Sequence, residues 1–187
     1  MAKKKVNPRR IPLAKREINK DAILMETMQG KMDDAWILVA NALNESGYTN
    51  LSELNESVGD YIDRTSGKKD ISHAEELMGI PTSMRLDLSK VNSQVGLESF
   101  KKKLNWTAIR TALGVICLGL EATGQFTEDE LKKLFLNVDL SLAEVESGLT
   151  SYEAIKRDLL NRMVRDKMEK GTETQAEQSI QNRYITK

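Results

Sequence analysis

Residues 104–122 read LNWTAIRTALGVICLGLEA, the most apolar stretch of the chain, and the fold turns on how they are read. Trp106, Ile109, Leu113, Ile116 and Leu120 recur at alternating steps of three and four, which sets five large side chains along one stripe of a helix. Beside it runs a stripe of smaller residues: Ala108, Ala112, Val115, Gly119 and Ala122. Small residues let two helix axes approach to roughly 8 Å, so this second stripe predicts the seat of a neighbouring helix. The segment is therefore expected to be a buried central helix, wrapped on two sides. Burying each large side chain is worth about 1.5–3 kcal/mol before conformational entropy is subtracted. Gly114 and Gly119 each weaken the helix by about 1 kcal/mol relative to alanine, a loss that close packing would offset.

Around this helix the composition points the same way. The 187 residues are 40% hydrophobic, enough for a real core, yet aromatics are only 5% and prolines number three. Leu, Ala, Glu, Lys, Met and Ser dominate and alternating β-branched runs are scarce, so the prediction is an all-α helical bundle. A single cysteine, Cys117, allows no intramolecular disulfide and fits a reducing compartment. Its place in the middle of an apolar helix gives it a structural reading. The uncharged run between Arg110 and Glu121 is ten residues long, against the roughly 20 that span a bilayer, so no membrane segment is expected. The N-terminus has positive charge without the apolar region of a secretory signal, which predicts a cytoplasmic protein.

Charge balances at 28 basic and 28 acidic residues, but residues 1–16 carry Lys3, Lys4, Lys5, Arg9, Arg10, Lys15 and Arg16 with no acid. With Pro8 and Pro12 this stretch reads as a flexible basic arm, and its seven cations are the candidate nucleic-acid contacts, through phosphate and counterion release. Residues 17–80 form a predicted first helical unit. Its long helix, about Glu17–Ser46, places Ile18, Ala22, Met25, Met28, Met32, Trp36, Val39 and Leu43 on one face, with a kink at Gly30. Gly47 stops it, and Asn50 with Glu53 starts a second helix carrying Leu54, Val58, Tyr61 and Ile62. Residues 81–100 read as a linker, 101–170 as a second helical unit and 171–187 as a polar tail. In the second unit a helix over about Thr127–Val145 carries Leu131, Leu134, Phe135, Val138 and Leu142. A last helix, Thr150–Lys170, turns Tyr152, Ile155, Leu159, Met163 and, at the edge of the stripe, Val164 inward, while its outer basic residues are expected to pair with Glu153, Asp158, Asp166 and Glu169.

The two units correspond. A shift of 77 residues aligns Gly47 with Gly124, Asn50 with Thr127, Glu53 with Glu130 and Leu54 with Leu131. A shift of 78 aligns Ser72 and Glu75 with Thr150 and Glu153, two capping-box patterns. A tandem duplication of a three-helix unit follows, with the two long helices packing as pseudo-equivalents because neither unit buries its face alone.

Chemistry is hard to find. His73 is the sole histidine, in the other unit from Cys117; Asp33 with Asp34, or His73 with Glu75 and Glu76, lacks a metal-ligand spacing; Gly67-Lys68-Lys69 lacks the rest of a phosphate loop. No cofactor, metal or catalytic residue is predicted, and an enzyme is not expected. Residues Ala74–Ser83 resemble the first helix and turn of a helix-turn-helix, although the alanine-to-glycine distance is five where the motif has four, and only Arg85 and Lys90 follow to reach a groove.

The first 80 residues or so, with Asn7-Pro8-Arg9-Arg10 in the arm, Ala35-Trp36 in the long helix, Asn44-Glu45-Ser46-Gly47-Tyr48 at its end, and Leu54 and Val58 in the next, resemble a group of short helical proteins carried by phages and prophages of low-GC Gram-positive bacteria. The resemblance implies a setting, the cytoplasm of a bacterial host, rather than a mechanism. The expectation is a non-enzymatic accessory protein that binds a host protein or ribonucleoprotein complex, for example an inhibitor of a CRISPR nuclease or another defence machine. Two other readings stand beside it: a nucleic-acid-binding regulator using the arm and the helix-turn-helix-like segment, and a phage assembly protein forming a homo-oligomer.

Overall fold

The computed structural model describes residues 26–65, 71–82, 94–166 and 168, and every regular element among them is a helix. The basic arm, the segment after the helix-turn-helix-like turn, residues 17–25 of the expected first helix and the polar tail lie outside the described residues. A helical turn at 26–29 leads into α1, Met32–Glu45. The expected kink at Gly30 is a break in the helix: the Lys31 N–H drops back to the Met28 carbonyl at 2.9 Å, a tighter closure than the α-helical one. Leu38 to Leu43 are buried without interruption, so α1 is enclosed on most sides.

The other elements are α2 (Leu51–Arg64), α3 (Ile71–Met78), α4 (Gln94–Ala122), α5 (Glu128–Ser147) and α6, over 152–166. The predicted central helix is present, and longer than its apolar stretch. It begins at Gln94, inside the expected linker: its opening residues, QVGLESF, include Val95 and Gly96, poor helix formers that hide the start. From Ala112 to Leu120 every residue is buried. Of the two predicted stripes, Trp106 is only partly buried and Ala122 is exposed; the rest are interior.

The small stripe does what its composition predicts. A Cβ built on Gly119 would stand 2.8 Å from Val58 Cγ1 and 3.4 Å from the Val58 backbone, so α2 lies against α4 at a distance only glycine permits. On the neighbouring face Gly114 sits under α3 and the turn after it, with Thr82 Cγ2 at 3.2 Å and Ala74 Cβ at 3.4 Å from the same construction.

α1 and α4 run side by side in the same direction. Lys31 shares a hollow with Trp106 and Ile109 at one end, and Tyr48 hydrogen-bonds Gln125 at the other. Tyr48 and Gln125 are also the positions that the 77-residue shift aligns. The following helices cross over: α2, from the first half, packs on α4, and α5, from the second, packs on α1. Positive φ at Gly47 (86°) and Gly124 (67°) makes the two reversals alike.

The correspondence in packing stops at the third helices. α3 crosses α4 in the opposite sense, with His73 beside Glu121 and Thr82 beside Gly114. α6 runs with α1, from Tyr152 beside Lys31 to Arg162 beside Asn41 and Glu45. Their predicted capping boxes also differ from expectation. Glu75 Oε1 accepts the Thr82 N–H and hydroxyl, both at 2.7 Å, tying down the turn after α3. α6 is capped by Ser151, whose Oγ accepts the Ala154 N–H at 3.2 Å, rather than by Thr150. Val164 points outward, because the inward stripe follows Ile155, Leu159 and Met163. Among the described residues no ion pair lies within α6; Arg162 reaches across to Glu45 at 3.0 Å instead.

Candidate functional site

At the end of the bundle where α1 and α6 begin, a hollow of about 370 Å³ is lined by Lys31, Lys102, Asn105, Trp106, Ile109, Glu146 and Tyr152. Lys102, Trp106 and Arg110 stand at steps of four on α4, so one helical face brings a cation, a ring and a second cation together. The Arg110 guanidinium lies 4.5 Å from the Trp106 ring centroid and donates to Asp139 Oδ1 on α5 at 2.7 Å. Its side chain is only 10% exposed, and its Nε is buried without a hydrogen-bond partner. The stacked ring and the carboxylate hold this cation within Leu104–Leu120, a stretch of α4 with no other charge.

Across the hollow, Lys31 lies 5.6 Å from the Tyr152 ring centroid and pairs with Asp34 at 2.7 Å. Burial pushes the Tyr152 phenol up to about 12, with Asp34 and Glu146 adding to the effect, so the hydroxyl stays protonated across the physiological range. The ring is therefore a neutral platform with a polar tip. Two half-buried aromatic rings, each attended by a cation, form a surface suited to a flat or extended partner.

A second cleft, of about 510 Å³, lies between α1, α5 and α6 and is largely polar. The buried Asn41 accepts from Arg162 and donates to Glu45 Oε1 at 3.1 Å, so the cleft's central cation is already held by the protein. Near the other end, Tyr48 and Phe126 stack with centroids 5.7 Å apart beside a third hollow.

The residues with catalytic chemistry do not converge. Burial, with a smaller contribution from Glu121, pushes the Cys117 thiol up to about 12, so it is not a nucleophile at neutral pH. His73 Nε2 lies 2.9 Å from Glu121 Oε1 and on a different element from the thiol. Among the described residues no group of three potential metal ligands comes together, and no helix is long and apolar enough to cross a membrane. The arm's candidate contacts, Lys3, Lys4, Lys5, Arg9, Arg10, Lys15 and Arg16, lie outside the described residues. In the helix-turn-helix-like segment, Ala74, Leu77 and Met78 are core residues packed with α4.

Sequence reasoning assigned Trp106 and Tyr152 wholly to the core and passed over Lys31, Lys102 and Arg110. The usable signal was the four-residue spacing of Lys102, Trp106 and Arg110 at the point where the apolar stripe begins. No family model matches the chain, and no curated protein or solved structure matches it.

Proposed function

We propose that this chain is a non-enzymatic accessory protein, of the phage type its first half resembles, that binds a host macromolecular complex stoichiometrically and modulates it, as an inhibitor of a CRISPR nuclease or other defence complex would. The observation that carries the reading is the Trp106–Tyr152 hollow, because it sets two aromatics, the residue type that dominates binding energy at interfaces, on one end of the bundle, with Arg110 stacked on Trp106 outside the lining. Its walls belong to α1, α4, α5 and the start of α6, so the rings are positioned before any partner arrives, which lowers the ordering cost of binding.

The same hollow supports a second reading. Lys31 and Lys102 flank the rings, an arrangement that stacks bases and neutralises phosphates, and the seven cations of residues 1–16 would add sequence-independent affinity. A tagged pull-down of the full chain from a low-GC Gram-positive lysate, with and without nuclease, separates the two. A stoichiometric protein that survives nuclease and is lost with Trp106→Ala and Tyr152→Ala is the expected result. Recovery of nucleic acid alone, abolished by nuclease, would sink the inhibitor reading in favour of the regulator.

A further inference from the structure

The outer face of α5 carries two large apolar side chains where a solvated helix would be polar throughout. Leu136 and Leu140 are 60% and 61% exposed, one turn apart, on the side opposite the buried Leu131, Phe135, Val138 and Leu142. They are the centre of a longer stripe. Asp129, Lys133, Leu136, Leu140, Ala143 and Ser147 follow one another at alternating steps of four and three, the spacing of a helix–helix seam, with Glu144 next to Ala143 on the Lys133 side. Lys133 and Glu144 are both exposed, and neither makes an ion pair among the described residues.

The stripe is symmetric about its own midpoint. Laid antiparallel on an identical stripe, Leu136 falls opposite Leu140, Lys133 opposite Ala143 and Glu144, and Asp129 opposite Ser147. A twofold axis preserves the side on which Lys133 and Glu144 stand, so each lysine meets a glutamate of the other copy, twice per contact. The parallel arrangement would set Asp129 against its own like charge and leave Lys133 and Glu144 of the two copies on opposite flanks, unpaired.

We propose that the chain forms a twofold homodimer through the outer face of α5, with Leu136 and Leu140 interleaved at the centre and Lys133 paired with Glu144 of the second copy on the flank. The occupant of this face is a second copy rather than an unrelated protein because the face complements itself in both apolar position and charge. The hollow at Trp106 and Tyr152 lies outside this surface, so the dimer stands or falls independently of the functional reading. A contact centred on four leucines is small, which makes the dimer weak and concentration-dependent.

Sedimentation velocity of the full chain over a concentration series tests this. The wild type is expected to shift from monomer to dimer. Lys133→Glu and Glu144→Lys, each setting like charges together, are expected to weaken the dimer by about tenfold or more, and the double variant to restore it. Leu140→Glu is expected to abolish the dimer while leaving the thermal transition in place, since the side chain is exposed. A wild type that stays monomeric up to its solubility limit overturns the proposal. So does a dimer that neither charge substitution weakens, or one that the double variant fails to restore.

Discussion

At Gly119 the missing side chain sets how closely two helices approach. A Cβ there would fall 2.8 Å from Val58 Cγ1, with the Val58 backbone too near to retreat. Gly119→Ala is therefore expected to lose about 1–3 kcal/mol from overpacking, although alanine is the better helix former by about 1 kcal/mol. Gly59, inside α2 with nothing within 4 Å of the same construction, is the control: Gly59→Ala is expected to gain about 0.5–1 kcal/mol. Urea unfolding of the two variants should give opposite signs. Cys117 and Tyr152 contribute to the alkaline behaviour. In the folded chain both keep their protons to about 12, whereas the unfolded chain releases them from ordinary values of 9.0 and 10.0. The unfolded state then binds fewer protons, so stability is full below about pH 9 and falls as pH rises toward 12. The urea midpoint should drop across that window, and Cys117→Ala should flatten its lower part. The small-residue stripe made Gly119 legible in the sequence. Arg110 was not, because its partner Asp139 lies 29 residues away on α5 and its stacking on Trp106 needs the actual side-chain directions.

The helices are set by their ends as much as by their apolar faces. At the start of α5, Thr127 sits in extended backbone (φ −76°, ψ 161°), where its Oγ1 accepts the Glu130 N–H while Glu130 Oε2 accepts the Thr127 N–H at 2.8 Å. Asn50, its counterpart before α2, has ψ 53°, and its amide turns to the Glu53 carboxylate instead of accepting from the helix backbone. Thr127→Ala should therefore cost about 1 kcal/mol, and Asn50→Ala distinctly less, in thermal or urea unfolding. Both positions carry the same capping pattern in the sequence, and only the backbone angle before the helix separates them. Helix stops were readable because Gly47 and Gly124 mark them, as were the inward residues of α5, all five of which are buried. The start of α4 was hidden by Val95 and Gly96, poor helix formers in its opening turn. Val164 was misassigned because it directly follows Met163 and so stands about 100° around α6 from the inward stripe.

For the whole molecule, the crossover of helices between halves decides how it folds. α2 covers α4 and α5 covers α1, so each half carries the cover for the other's central helix. Residues 1–82 and 94–187 made separately should each lack a cooperative thermal transition, and mixing them should restore helical circular dichroism. Two halves that melt cooperatively on their own would contradict this packing. The long helices pack on each other, but the exchange of their neighbours was not legible, since matching sequence patterns describe what each half contains and not which half covers it. The opposed senses of α3 and α6 escaped for the same reason. The hollow is assembled from α1, α4, α5 and α6 and exists only in the intact bundle, which is why no single stretch of sequence announced it. Its use is tested most directly by hydrogen–deuterium exchange of the full chain, free and bound to the captured host partner. Slowed exchange over residues 101–110 and 152–157, around Trp106 and Tyr152, is the predicted result. Unchanged exchange there, with protection confined to other faces of the bundle, would contradict a partner seated on the two rings.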